Sequence, residues 1–146
     1  MKENKDIFDD DFSPFDFEQT LLLDQAPITM FGGKEGTSDN ESSLCVLFQP
    51  EDCDILITGD RSEDGEQELM NHMQLPDLEI LIAGHHGSRT STSWELLNAT
   101  KPEIVLISVG EDNRYGHPSD AVLQRLADFG CEVYRTDTYG TIIFRR

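Results

Sequence analysis

Four short apolar runs dominate this chain, and each stops abruptly at a glycine or a polar turn. They are residues 44–48 (LCVLF), 54–58 (DILIT), 78–83 (LEILIA) and 104–109 (IVLISV). Each is too short for a core helix, and the last two lack the apolar–polar alternation of a half-solvated strand. Such runs suit strands covered on both faces. The stretches between them have helical spacing. Residues 63–73 put Leu69, Met70 and Met73 on one side. Thr92 and Glu95 stand at capping-box spacing before a helix through Ala99. Ser119 stands where an N-cap belongs and Gly130 where a helix closes. Residues 44–48 and 54–58 flank the polar turn PEDC and read as a hairpin. Residues 20–31, with Pro27 inside, read as two short strands or one interrupted edge strand. Residues 131–135 and 141–144 read as a terminal strand pair across TDTYG. Strands alternating with helices after an opening hairpin predict an α/β fold, a mixed sheet flanked by helices.

The chain has 146 residues, which suffices for one domain. Its 29 acidic and 11 basic side chains leave a formal charge of −18. That balance argues against general nucleic-acid binding, since phosphate contacts need Lys and Arg to release counterions, and against docking on anionic membranes. Residues 1–24 hold eight acids and two lysines, a net of −6. Residues 1–18 are expected to be a disordered acidic lead, with phenylalanines that could serve for docking, and residues 19–146 the folded part. No apolar run approaches the roughly 18 residues of a membrane span. The amino terminus is charged where a signal peptide would be apolar. Cys45, Cys53 and Cys131 are odd in number and scattered, which fits reduced thiols and a cytoplasmic setting.

The chemistry is expected where buried strands open into polar loops, because side chains there meet solvent on a rigid support. ILITGD delivers Asp60, which reads either as a ligand or as the N-cap of the following helix. AGHHGSRTS presents His85 and His86 between glycines, followed by Ser88 and further hydroxyls. VGEDNRYGHPS presents Asn113, Tyr115 and His117 ahead of a helix start, which is also a natural anion site. Pro118 makes ordinary turn chemistry the alternative. His72, mid-helix beside Asn71, reads as a surface residue. Loops on one side of one sheet would gather a carboxylate and imidazoles, a donor set suited to zinc, manganese or iron.

In this order, GD, GHHGS and NRYGHP, followed by a helix and CEVYRTDTYGTIIF, the sequence resembles the C-terminal half of a metallo-β-lactamase-fold hydrolase. The subgroup it most resembles is the domain at the end of ComEC-type competence (DNA-uptake) proteins. The resemblance covers residues 20–146. It implies half of an αββα sandwich with a dinuclear metal site at the sheet edge. Asp60 matches the metal-bridging aspartate and His85 a late histidine ligand. His86 and His117 match pocket residues that would take catalytic parts, with His117 a candidate for phosphate contact or proton transfer. Ser88, Asn113 and Tyr115 match pocket residues that would contact substrate. The implied activity is metal-dependent hydrolysis of a phosphodiester, with DNA as substrate and zinc or manganese as cofactor.

The family's N-terminal HxHxDH or HxDxDH motif has no counterpart, since the first histidine is His72. The resemblance therefore implies a partial domain, completed by a separate N-terminal half or by a second copy of the chain. The alternatives are a non-catalytic remnant or interaction module of the same fold, and an anion or nucleotide binder built on the His117 loop.

Overall fold

A computed structural model of the chain describes residues 18–32 and 38–145. The expected acidic lead falls outside the described residues, apart from Glu18. Seven strands form one sheet in simple chain order: β1 (Glu18–Leu23), β2 (Ala26–Phe31), β3 (Cys45–Phe48), β4 (Ile55–Ile57), β5 (Ile80–Ile82), β6 (Ile104–Ile107) and β7 (Glu132–Arg135). Pairing from β1 to β4 is antiparallel and from β4 to β7 parallel. Four helices accompany it: α1 (Glu63–His72), α2 (Trp94–Thr100), α3 (Asp120–Phe129) and the single turn α4 (Thr136–Tyr139). The mixed α/β sheet expected from the sequence is thus present.

Local chemistry explains the element boundaries. Residues 20–31 fold as a full hairpin, β1 against β2, turning at Asp24 and Gln25 with φ of 48° and 74°. Two successive positive φ values match the strand twist, as in a primed turn. Pro27 is not on an edge strand: β2 lies between β1 and β3, and the Pro27 carbonyl accepts from the Gln49 N–H at 2.9 Å. The hairpin expected around PEDC is β3 and β4. Ser119 caps α3 by accepting from the Val122 N–H, and Gly130 ends it at φ 91°.

Three expectations need correction. Asp60 does not cap α1; the cap is Ser62, whose hydroxyl accepts from the Asp64 N–H. Thr92 does not cap α2; Ser93 does, accepting from the Leu96 N–H. Thr92 instead has φ of 52°, and its hydroxyl accepts from the Gly84 N–H. Residues 141–144 form no strand, so β7 stays at the sheet edge. The Thr136 hydroxyl donates to the Val109 carbonyl at 2.7 Å and accepts from the Val109 N–H at 2.8 Å. Arg135 grips Asp137 with two bonds. Together these turn the chain into α4 across the end of β6 before it can double back.

The helices that feed the core share one face of the sheet. Leu69 of α1, Leu96 and Leu97 of α2, and Val122 and Leu126 of α3 join Phe31, Cys45, Leu47, Leu56, Leu81, Val105 and Ile107 in one buried cluster. Leu47, Leu56, Leu81, Val105 and Val133 are register neighbours, a single row across five strands. Side chains alternate along strands, so the next row belongs to the opposite face. It reads Met30, Val46, Ile57, Ile82, Leu106 and Tyr134. None of these joins the buried cluster, and Ile57 is 39% exposed. The runs that promised strands covered twice are covered by helices once among the described residues.

Two buried charges tie the helices to this frame. Arg61 is fully buried; it donates to the carbonyls of Ser43 and Gly65 and pairs with Glu68 at 3.5 Å. Glu66 is also fully buried, and its carboxylate accepts from the backbone N–H groups of Thr92 and Ser93 at 2.5 and 2.9 Å. Neither contact was read from the sequence. An arginine or glutamate on a short helix carries no local mark of burial.

Candidate active site

Because β4, β5 and β6 run parallel, their carboxyl ends open on one side of the sheet, where ligands of open α/β sheets bind. Each expected loop leaves from one of these ends. Asp60 follows β4 after Gly59, whose φ is 61°. The Gly59 carbonyl accepts from the His85 N–H at 2.9 Å and stitches the first loop to the second.

The GHHG segment forms a 3₁₀ turn, Gly84–Gly87, in which His85 and His86 both have left-handed backbones, at φ 48° and 55°. Such conformations cost a non-glycine residue about 1–3 kcal/mol each and persist only where the surroundings impose them. Here they do. A Cβ on Gly84 would lie 2.9 Å from the Thr58 hydroxyl, and one on Gly87 would lie 2.6 Å from the Pro118 side chain. The Ser91 hydroxyl donates to the Gly84 carbonyl at 2.6 Å, and the Ser119 N–H donates to the Gly87 carbonyl at 2.9 Å. Arg125 of α3 donates to the carbonyls of Ser91 and Thr92, both at 2.8 Å. The glycines and hydroxyls around the histidines are the means of holding them in a strained pose.

The result brings the titratable groups together in two pairs. His86 Nε2 stands 3.8 Å from the Asp60 carboxylate, both about half exposed. This separation is too long for a hydrogen bond. His86 Nδ1 lies 2.7 Å from the Ser108 carbonyl. A carbonyl only accepts, so Nδ1 carries a proton, and Nε2 is the ring nitrogen that faces Asp60. The His85 and His117 rings meet edge to face, with centroids 5.6 Å apart. Burial holds the His117 pKa below the usual imidazole value, and the neighbouring His85 and His86 push it the same way. His117 is therefore biased toward the neutral form at neutral pH.

The remaining expected residues have different surroundings. Asn113 is spent on its own loop: its amide donates to the carbonyls of Gly110 and His117 and accepts from the His117 N–H. Ser88 is buried and bonded to the Thr90 hydroxyl at 3.1 Å. Tyr115 is 74% exposed, with its ring stacked near His117. His72 is exposed, as expected, at the end of α1, and its ring also leans on Phe31. Ser108, which orients His86, was missed from the sequence, since a carbonyl acceptor has no side-chain signature.

Among the described residues, no group of three or more His, Cys, Asp or Glu is arranged to hold a metal ion. Asp60 and His86 approach as two donors, whereas catalytic zinc takes about three protein ligands and a water. The donor set present does not by itself fit the metal centre that the resemblance implies.

The chain is 41% identical over 130 residues, 89% of its length, to ComE operon protein 3 of Bacillus subtilis. It is 35% identical over 113 residues, 76% of its length, to competence protein ComA of Neisseria gonorrhoeae. It is 33% identical over 105 residues to recombination protein 2 of Haemophilus influenzae. The similarity is to competence proteins. The chain spans 16% of the length of each of the first two relatives and 13% of the third. No family model matches the chain. No helix among the described residues is long and apolar enough to cross a membrane.

Proposed function

We propose that this chain is the C-terminal half of a metallo-β-lactamase-like phosphodiester hydrolase serving DNA uptake, with a site that other donors complete. The observation that carries this reading is the convergence of Asp60, His85, His86 and His117 at the carboxyl ends of three parallel strands. The strained, tightly clamped GHHG turn supports it, because a fold retains such strain at working sites. Similarity to competence proteins favours DNA uptake as the process and DNA as the substrate. The apolar second face of the sheet supports the αββα architecture, which needs a second layer there.

In this reading Asp60 and His86 contribute two donors, with His85 beside them, and His117 stands ready in its neutral form to exchange a proton. Zinc or manganese would need further donors, from a complementing half or from a second copy. Ser88 and Asn113 shape the loops, and Tyr115 faces the substrate. A second reading, an interaction module of the same fold without chemistry, is favoured by the incomplete donor set and the charge of −18.

Metal analysis of the purified chain, with Asp60→Ala and His86→Ala beside it, tests the site. The expected outcome is substoichiometric zinc or manganese in the wild type, lost in both variants. Equal, negligible metal in all three removes the site reading. Cleavage of a DNA oligonucleotide that requires the added metal and Asp60 would separate the enzyme from the interaction module.

A further inference from the structure

Beside the Asp60–His86 pair lies a hollow of about 200 Å³, lined by His86, Val109, Gly110, Asn113, Tyr115 and His117. Pockets for whole drug-sized ligands run to roughly 300–1,000 Å³. This one has room for a single ring system and little more.

Its walls are suited to a flat guest. The Tyr115 and His117 rings are nearly parallel, 17° apart in plane, with centroids at 6.1 Å. The Arg114 guanidinium lies over the Tyr115 ring at 5.8 Å. Arg114, Tyr115 and His117 thus form a ladder of planar groups that leads from solvent to the His85 ring. The floor is the apolar Val109 and the bare backbone of Gly110, where an added Cβ would meet nothing within 4 Å. The three hydrogen bonds of Asn113 to its own loop keep the seat in shape. A phenol ring that could have packed into a core is instead held in water, at 74% exposure.

We infer that Arg114, Tyr115 and His117 form a stacking seat for one unstacked nucleobase, placing the adjoining phosphate beside His86. The inference rests on the phosphodiester reading and adds to it the form of the substrate. Every base has a π-face, and aromatic platforms bind bases with little regard to sequence. Inside a duplex both faces of a base are already stacked, so the seat selects a strand whose bases are free. With Arg114 as its cation and a chain charge of −18, stacking carries the contact, and binding responds weakly to salt.

The test is fluorescence anisotropy of the full chain with three labelled DNA probes at low salt: a short single strand, the same strand with abasic sites, and its duplex. The expected result is single-strand binding on the order of tenfold tighter than to the abasic strand or the duplex. Tyr115→Ala should remove that advantage and Tyr115→Phe keep it. Gly110→Val, which adds bulk at the lining of the hollow where a Cβ meets nothing within 4 Å, should also remove it while thermal unfolding is unchanged. Equal binding of normal and abasic strands, no loss in Tyr115→Ala, or no single-strand binding at all overturns the seat. Metal-dependent cleavage alongside equal abasic binding would sink the seat and leave the hydrolase reading standing. Base-selective, Tyr115-dependent binding without cleavage under any metal would do the reverse.

Discussion

The two faces of this sheet are built from the same strands, from neighbouring residues and from the same aliphatic alphabet, yet they live in different surroundings. Leu56, Leu81 and Val105 are fully buried beneath α1, α2 and α3, whereas Ile57, one residue beyond Leu56, is 39% exposed. Had the open face been meant for water, alternation would have placed polar groups on it. It carries Met30, Val46, Ile57, Ile82 and Leu106 instead. The difference teaches that, among the described residues, the helices pack on one face of the sheet while the other carries an apolar row that joins no buried cluster. The site sits at the rim between them. Its GHHG turn is clamped by Ser91, Arg125 and Ser119, while no metal-holding group of three donors is present among the described residues.

Truncations on the two faces should separate them most. Leu81→Ala, on the covered face, should lose about 2–5 kcal/mol of unfolding free energy, because a cavity remains among packed neighbours. Leu106→Ala, one strand over on the open face, should lose less than half as much. Urea unfolding of both variants decides the matter, and equal losses would mean that the open face is covered in solution.

The buried carboxylate between α1 and α2 probes the covered side next. Glu66→Ala leaves the Thr92 and Ser93 N–H groups without acceptors and should cost roughly 1–3 kcal/mol. Burial is the largest influence on the Glu66 pKa and raises it from 4.5. The sign follows: the folded state holds this proton more tightly than the unfolded state does. Stability from that proton is fully present below 4.5 and is lost as pH rises through the folded value. Measured against Glu66→Gln, the wild type should therefore lose ground as pH climbs above 4.5. A parallel pair of pH curves would contradict the assignment.

Smaller effects sharpen the contrast. Ile57→Ser should shift stability by no more than about 0.5 kcal/mol, as at an exposed site, while reducing the binding of a hydrophobic dye and any self-association seen by sedimentation. A large destabilisation would reveal a cover on the open face. Cys45 lies on the covered face and its thiol is pushed up to about 12, chiefly by burial. At mildly alkaline pH it should resist alkylation in the native chain, with Cys53 reacting first, as mass spectrometry of labelled peptides can show. Equal reactivity would mean that the covered face opens readily.

Much of this architecture was legible in residues 44–58, 78–83 and 104–109, because apolar runs and glycine stops are local signals that hydrogen bonding and burial oblige a chain to obey. The caps were harder. Asp60 and Thr92 were plausible N-caps, but Ser62 and Ser93 took those roles: Asp60 lies two residues upstream of the cap in the strand-end loop, and the Thr92 hydroxyl is spent on the Gly84 N–H. The expected strand at 141–144 failed because Thr136 found a partner far away in sequence, Val109, while Arg135 closed on Asp137 only two residues on. Around the site, the identities of Asp60, His85, His86 and His117 could be read directly, since their chemistry and their flanking glycines are in the letters. Their pairing could not. That His86 faces Asp60 while His85 faces His117 depends on two consecutive left-handed residues and on the Ser108 carbonyl. By itself, the sequence determined a mixed α/β sheet with polar loops at strand ends. Only the tertiary structure decided which face is covered, which donors meet and which glutamate is buried, because those outcomes depend on contacts between segments that no local pattern encodes.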